Sequence, residues 1–217
     1  MSDAERVVLC FGDSNTHGTM PLPSLTERGR HGFSSRWTGH FRRALGPAVH
    51  VIDEGHPGRT TVHPDPVEGE HRNGLSVLLA LLESHRPLDL VVMMLGTNDC
   101  KARFAVTADD IARSIDRLCG VIAAAQCGPG GATPKLLLVA PPPLTETGCL
   151  AGMFEGGAAK AAALAPRIEA VAQARGAGFV DAGAHITVSP IDGVHFDAAA
   201  HATLGTVLAR AAAELLD

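Results

Sequence analysis

Along the chain, unbroken apolar runs alternate with stretches in which apolar residues return every three or four positions. The first run, VVLCF at residues 7–11, stops abruptly at Gly12-Asp13-Ser14-Asn15. A helical pattern follows over residues 35–45, with Trp37, Phe41 and Leu45 on one face and Gly46-Pro47 to end it. Residues 49–53 predict a second strand, and residues 55–73 a long loop rich in Pro, His and Gly. A helix over residues 74–85 closes at Arg86-Pro87. LDLVVMMLG, residues 88–96, is apolar on both faces, as a central parallel strand should be. Thr107-Ala108-Asp109-Asp110 carries the capping chemistry of a helix that continues to residue 125. The turn CGPGGATP leads to a fourth strand at residues 135–140, and residues 141–157 read as irregular. An alanine-rich helix over residues 158–175, a short strand at FVDAG and a last helix from residue 196 or 197 to 216 complete the pattern.

Strand and helix alternate throughout. That pattern predicts an α/β fold with one parallel sheet sandwiched by helices. No linker or repeat divides it, so residues 1–217 read as a single domain. Apolar content of 46% supplies a sizeable core and argues against disorder.

Charge narrows the possible partners. The net charge is −5, and no basic run is longer than FRR, so nothing points to nucleic acid. Aromatic content of 4% argues against a base-stacking surface. No strand is followed by GxGxxG, and GxxxxGK is absent, which disfavours nucleotide binding. The five cysteines are odd in number and lack CxxC spacing, which fits a reducing compartment. MSDAER leads straight into a strand, and no apolar run approaches a bilayer span of about 20 residues. The expectation is a soluble, cytoplasmic protein with no membrane partner.

In an open parallel sheet, ligands bind beyond the carboxyl ends of the strands. The segments there are Gly12-Asp13-Ser14-Asn15, DEGHPGRTT with Gly55 and Gly58, GTNDCK with Asn98 and Asp99, PPPL, and IDGVHF with Asp192 and His195. A serine hydroxyl needs a base to become a nucleophile, and an imidazole is suited to that task. A carboxylate orients the imidazole and stabilises its cation. Asp192 and His195 lie three apart, so one turn can set them side by side. Acyl transfer also needs fixed donors for an oxyanion. The N–H groups of Ser14 and Gly58 and the side-chain amide of Asn98 can supply them.

These blocks, in this order, resemble the SGNH (GDSL-type) hydrolases. The likeness spans residues 12–195. It implies a flavodoxin-like three-layer sandwich with a five-stranded parallel sheet. It further implies Ser14 as nucleophile, His195 as base, Asp192 as its orienting acid, and Ser14, Gly58 and Asn98 as the oxyanion hole. RWTG, MLGTND, PPPL and FEGG are similar to the arylesterase/acyltransferase branch of that family. The resemblance therefore implies hydrolysis of short-chain carboxylic esters through an acyl-enzyme, with transfer to alcohols as a second outcome. It also implies a homo-oligomer. The family's name ends in leucine where Asn15 stands, so Asn15 is a candidate to shape the pocket beside Ser14. Leu144 and Phe154, with Leu150 and Met153, suggest an apolar funnel, and Trp37 is either core or a further pocket wall.

Other readings remain at this point. A carbohydrate O-acetylesterase predicts polar contacts and an open groove. A non-catalytic flavodoxin-like binding module needs no nucleophile, base and donors together. No cofactor is expected. His56, His63 and His71 share a loop with Asp65 and Glu68, but their spacing fits no familiar set of metal ligands, so no metal is expected either. His185 and His201 read as surface or helix residues.

Overall fold

The computed structural model describes residues 6–217. The five apolar runs are five strands: β1 (Arg6–Gly12), β2 (Val49–Gly55), β3 (Leu90–Met94), β4 (Lys135–Ala140) and β5 (Gly178–Asp181). They pair in the order β2-β1-β3-β4-β5, and every pairing is parallel. The helices are α1 (Ser14–His17), α2 (Trp37–Leu45), α3 (Gly74–His85), α4 (Ala108–Ala125), α5 (Gly157–Ala162), α6 (Leu164–Arg175) and α7 (Ala198–Leu216).

Successive side chains of a strand point to opposite faces, so each strand feeds two cores. Leu9, Phe11, Val91 and Met93 pack beneath α3, α4 and α6. Val8, Cys10, Val92 and Met94 pack beneath α2 and α7. The expected three layers are present. The sheet order matters for function because it reverses at β1. The chain goes from β1 outward to β2 on one side and then crosses back to β3 on the other. The carboxyl end of β1 is therefore a switch point, where neighbouring connections diverge and leave a crevice.

Two local expectations change and a third narrows. The helix read over residues 158–175 is two helices broken at Ala163, whose N–H bonds to Lys160 O at 3.0 Å. Pro166 explains the break: it has no N–H for the Ala162 carbonyl four residues back, and its ring crowds that carbonyl. The helix expected from residue 35 begins at Trp37, after a 3-10 turn at Phe33–Ser35. His201, expected at the surface or in a helix, takes the second alternative. It is fully buried on α7, and its Nδ1 accepts the Trp37 N–H at 3.1 Å.

Candidate active site

Ser14 stands at the switch point, one residue beyond Asp13 and two beyond the end of β1. Asp13 caps the short helix α1, its Oδ1 accepting the Asn15 N–H at 2.9 Å. That cap turns the chain sharply out of the sheet and leaves the Ser14 hydroxyl at the sheet edge.

The partner loop lies between β5 and α7. One carboxylate makes four of the bonds that hold its tip. Asp192 Oδ1 accepts the Val194 and His195 N–H groups, each at 3.0 Å, which closes the turn. Its Oδ2 accepts His195 Nδ1 at 2.6 Å and the Leu22 N–H at 2.7 Å. Gly193 occupies the left-handed region at φ +72, and a Cβ there would meet the Thr145 carbonyl at 2.0 Å, so only glycine fits. His195 Nε2 then lies 3.0 Å from Ser14 Oγ. With Nδ1–H donating to the carboxylate, Nε2 is the acceptor and the serine O–H donates to it. Burial by itself would raise the Asp192 pKa. The bond and charge of His195 and the amides of His195 and Leu22 outweigh it and hold the carboxyl at about 2. Asp192 is thus a fixed anion beside the imidazole.

Opposite the imidazole are the candidate donors. The N–H groups of Ser14 and Gly58 make no hydrogen bond to another group among the described residues. Gly58 has φ +74, and a Cβ there would meet Glu68 Oε2 at 2.8 Å, so the loop wall closes over a bare backbone. The buried guanidinium of Arg59 braces this turn, donating to Gly12 O at 2.8 Å and to Glu54 O. Asn98 Nδ2 donates to Arg59 O at 3.1 Å and, through a longer bond, to Asp13 Oδ2 at 3.4 Å, so it must release one of these acceptors to meet an oxyanion. Burial pushes the Asp13 pKa up to about 6, against the Asn15 amide and the charges of His195 and Arg59.

Ser14, Gly58, Asn98 and His195 line one cavity of about 360 Å³. Leu22, Leu150, Met153 and Phe154 form an apolar wall. Arg28, Glu68, Arg72 and Lys101 form a charged one, a feature that sequence reasoning missed. The pocket expectations divide accordingly. Phe154 lines the cavity; Trp37, Leu144 and Asn15 do not. Trp37 packs edge-on to Phe41 at 5.8 Å in the core below α2 and α7, and Leu144 belongs to the other core. Asn15 instead braces His195 from both sides. Its Nδ2 donates to Val194 O at 3.1 Å, and its Oδ1 accepts the Phe196 N–H at 3.2 Å.

The histidine-rich loop does not gather a metal site. His56 and His71 meet edge to face at 5.5 Å, His63 stacks on Phe104, and Asp65 is taken up by Arg103 and Lys101. Among the described residues, no three His, Cys, Asp or Glu side chains are arranged to hold an ion. Nor is any helix there long and apolar enough to cross a membrane.

A hydroxyl bonded to an oriented imidazole, beside the free backbone amides of Ser14 and Gly58 in a half-apolar crevice, is equipped to open esters. Residues 10–203 match the GDSL-like Lipase/Acylhydrolase family, the chain belongs to it, and with that membership it is a carboxylic ester hydrolase. Its structure is similar to that of a carbohydrate acetylesterase from Sinorhizobium meliloti, at 40% identity and TM-score 0.93 over 97% of this chain and 99% of that one. It is equally similar to the M. smegmatis aryl esterase, at 39% identity and TM-score 0.92 with the same coverage. No curated protein sequence matches it.

Proposed function

We propose that the protein is a serine esterase for short-chain carboxylic esters, with Ser14, His195 and Asp192 as its catalytic residues. The observation that carries this reading is the unbroken relay from Asp192 through His195 to Ser14, at 2.6 and 3.0 Å. Ser14 Oγ attacks the ester carbonyl while its proton passes to His195 Nε2. Asp192 stabilises the imidazolium without itself taking the proton, consistent with its low pKa. The tetrahedral oxyanion meets the amides of Ser14 and Gly58 and the side chain of Asn98. The bond to the leaving alcohol then breaks, and that oxygen takes the proton from His195. Water, deprotonated by His195, releases the acid from Ser14. An alcohol in place of water gives a new ester by the same steps, so transesterification needs no further residue. The apolar wall of Leu22, Leu150, Met153 and Phe154 supports this second outcome by limiting water beside the acyl group.

The charged wall supports a second substrate reading, removal of acetyl groups from carbohydrates, because Glu68 and Arg28 offer an acceptor and donors to sugar hydroxyls. Treatment with a fluorophosphonate tests the shared chemistry. One adduct is expected on the Ser14 peptide by intact-mass measurement and mapping, and none in Ser14→Ala. Labelling of a different residue, or hydrolysis of p-nitrophenyl acetate by a folded Ser14→Ala at the wild-type rate, refutes it.

A further inference from the structure

The charged wall of the cavity is not electrically balanced. Lys101 Nζ contacts Glu68 Oε1 at 2.8 Å and Asp65 Oδ2 at 3.6 Å. Arg103 contacts Asp65 Oδ1 at 3.0 Å and Glu68 Oε1 at 3.7 Å. Arg72 Nε lies 3.6 Å from Glu68 Oε2. Three cations therefore share two carboxylates. Arg28 adds a fourth cation. It is exposed on the loop that carries Leu22 and Leu25, lines the same cavity, and has no hydrogen bond or ion pair among the described residues. Its neighbour Glu27 is bonded to Ser24 Oγ at 3.2 Å and does not line the cavity. Asp192 and Asp13 are carboxylates too, but both are buried and neither lines the cavity. Among the charged side chains that line the cavity, Arg28, Arg72 and Lys101 outnumber Glu68, a local excess of cations on a chain of net charge −5.

We propose that this site prefers esters whose alcohol portion carries a carboxylate, and that the Arg28 guanidinium is the residue that recognises it. The inference rests on the acyl-enzyme reading above. An acyl group bound against the apolar wall leaves the alcohol portion toward the solvent-exposed rim, where Arg28 stands. A guanidinium presents two parallel N–H groups to a carboxylate, a geometry that a lysine cannot reproduce. Lys101 and Arg72 are committed to Glu68, so Arg28 is the cation free to turn toward a ligand.

The test compares kcat/KM for 3-acetoxybenzoate, neutral 3-acetoxybenzamide and cationic 3-acetoxy-N,N,N-trimethylanilinium, in wild type and in Arg28→Gln. Each rate is scaled by the substrate's hydroxide-catalysed hydrolysis to remove its intrinsic reactivity. The wild-type order is anionic, neutral, cationic. In Arg28→Gln the anionic-to-neutral ratio falls at least about threefold, through KM rather than kcat. Arg28→Lys recovers only part of the ratio, and Arg43→Gln, outside the cavity, leaves the ratio unchanged. Raising the salt concentration erodes the wild-type preference. No anionic preference in wild type, or a ratio unchanged in Arg28→Gln, overturns the proposal. Neither result touches the acyl-enzyme reading, which stands or falls on the fluorophosphonate adduct at Ser14.

Discussion

The two sides of the cavity are built from different kinds of bond. On the imidazole side, backbone amides do most of the holding. Asp192 gathers the amides of Val194, His195 and Leu22, and Asn15 pairs with the Val194 carbonyl and the Phe196 amide. On the facing side, side chain holds side chain, in the network of Lys101, Arg72, Arg103, Asp65 and Glu68. The first arrangement sets atoms to within the tolerance that proton transfer demands, and its rigidity comes from short turns. The second is a network of charges whose more exposed members, Glu68 and Arg72, can be substituted while buried Asp65 still accepts the Val67 and Glu68 amides. Damage to the first should appear in kcat, and damage to the second in KM and in the choice of substrate.

The largest effect that tests this division is expected at Asn98, which borders both sides. Asn98→Ala should lower kcat for a neutral acetate ester about 100- to 1000-fold with little change in KM, as removal of an oxyanion donor does. Its side chain also bonds the Arg59 carbonyl, so thermal unfolding is the necessary control. If Asn98 only tied that turn down, the loss would follow stability and KM, and kcat would stay within a few-fold of wild type.

The residues to which we assign the chemistry could be picked out of the sequence, and most of those that line the rest of the cavity could not. Ser14, Gly58, Asn98, Asp192 and His195 each follow a strand or precede a helix at a place where the parallel sheet must converge, so topology alone brings them to one edge. The apolar runs disclosed β1, β3 and β4 because burial on both faces writes itself into the sequence as continuous hydrophobicity; the part-exposed edge strands β2 and β5 showed only as shorter, mixed segments. The pocket walls carry no such periodicity. Trp37 and Leu144 are apolar because they pack in the two cores, and composition does not distinguish a core wall from a cavity wall. The charged wall draws Glu68, Arg72 and Lys101 from segments about thirty residues apart, and only the folded 55–73 loop makes them neighbours. Asn15 looked like a pocket residue because it adjoins Ser14. Its amide spans 179 positions of sequence to reach Val194, a contact no local pattern announces. Pro166 marks the break in the alanine-rich run, but the run's composition is helical on both sides of it and reads as one helix.

A smaller effect is expected from the Leu22 backbone. Its N–H is the one donor to Asp192 that comes from outside the 192–195 turn, and Cys149 Sγ holds the Leu22 carbonyl at 3.3 Å. Pro21 and Pro23 flank it and stiffen the segment. Leu22→Pro deletes the N–H and should lower kcat about tenfold, since a hydrogen bond to a charged group contributes about 1.5–3 kcal/mol. Leu22→Ala keeps the N–H while trimming the apolar wall, so its effect should fall on KM. Equal kcat values for the two variants would mean that the loop merely covers the cavity and that the 192–195 turn alone orients the imidazole.

The smallest effect at neutral pH lies beneath the imidazole side and emerges only in acid. His201 packs against Phe196, the residue after His195, with ring centres 5.5 Å apart, and against His31 at 4.9 Å. Burial, and then the charges of His31, His40, His195 and Arg36, lower its pKa from 6.5 to about 3. Between those values the unfolded chain binds a proton at His201 and the folded chain does not. Stability must therefore fall as pH drops from 6.5 toward 3, by up to about 1.4 kcal/mol per pH unit from this group. Asp13 works in the opposite sense. Its folded pKa of about 6 lies above its ordinary 3.8, so the native state takes up a proton between those values and gains stability as pH falls through them. The wild-type curve sums both, and the variant isolates one. His201→Gln removes the histidine's titration while offering a side-chain oxygen to the Trp37 N–H, so denaturant unfolding at pH 7 and pH 4.5 should show a smaller acid loss than wild type. An identical loss in both proteins would mean that the helix under the catalytic histidine opens to admit the proton, and that the imidazole side owes less to this buried support than its backbone bonds suggest.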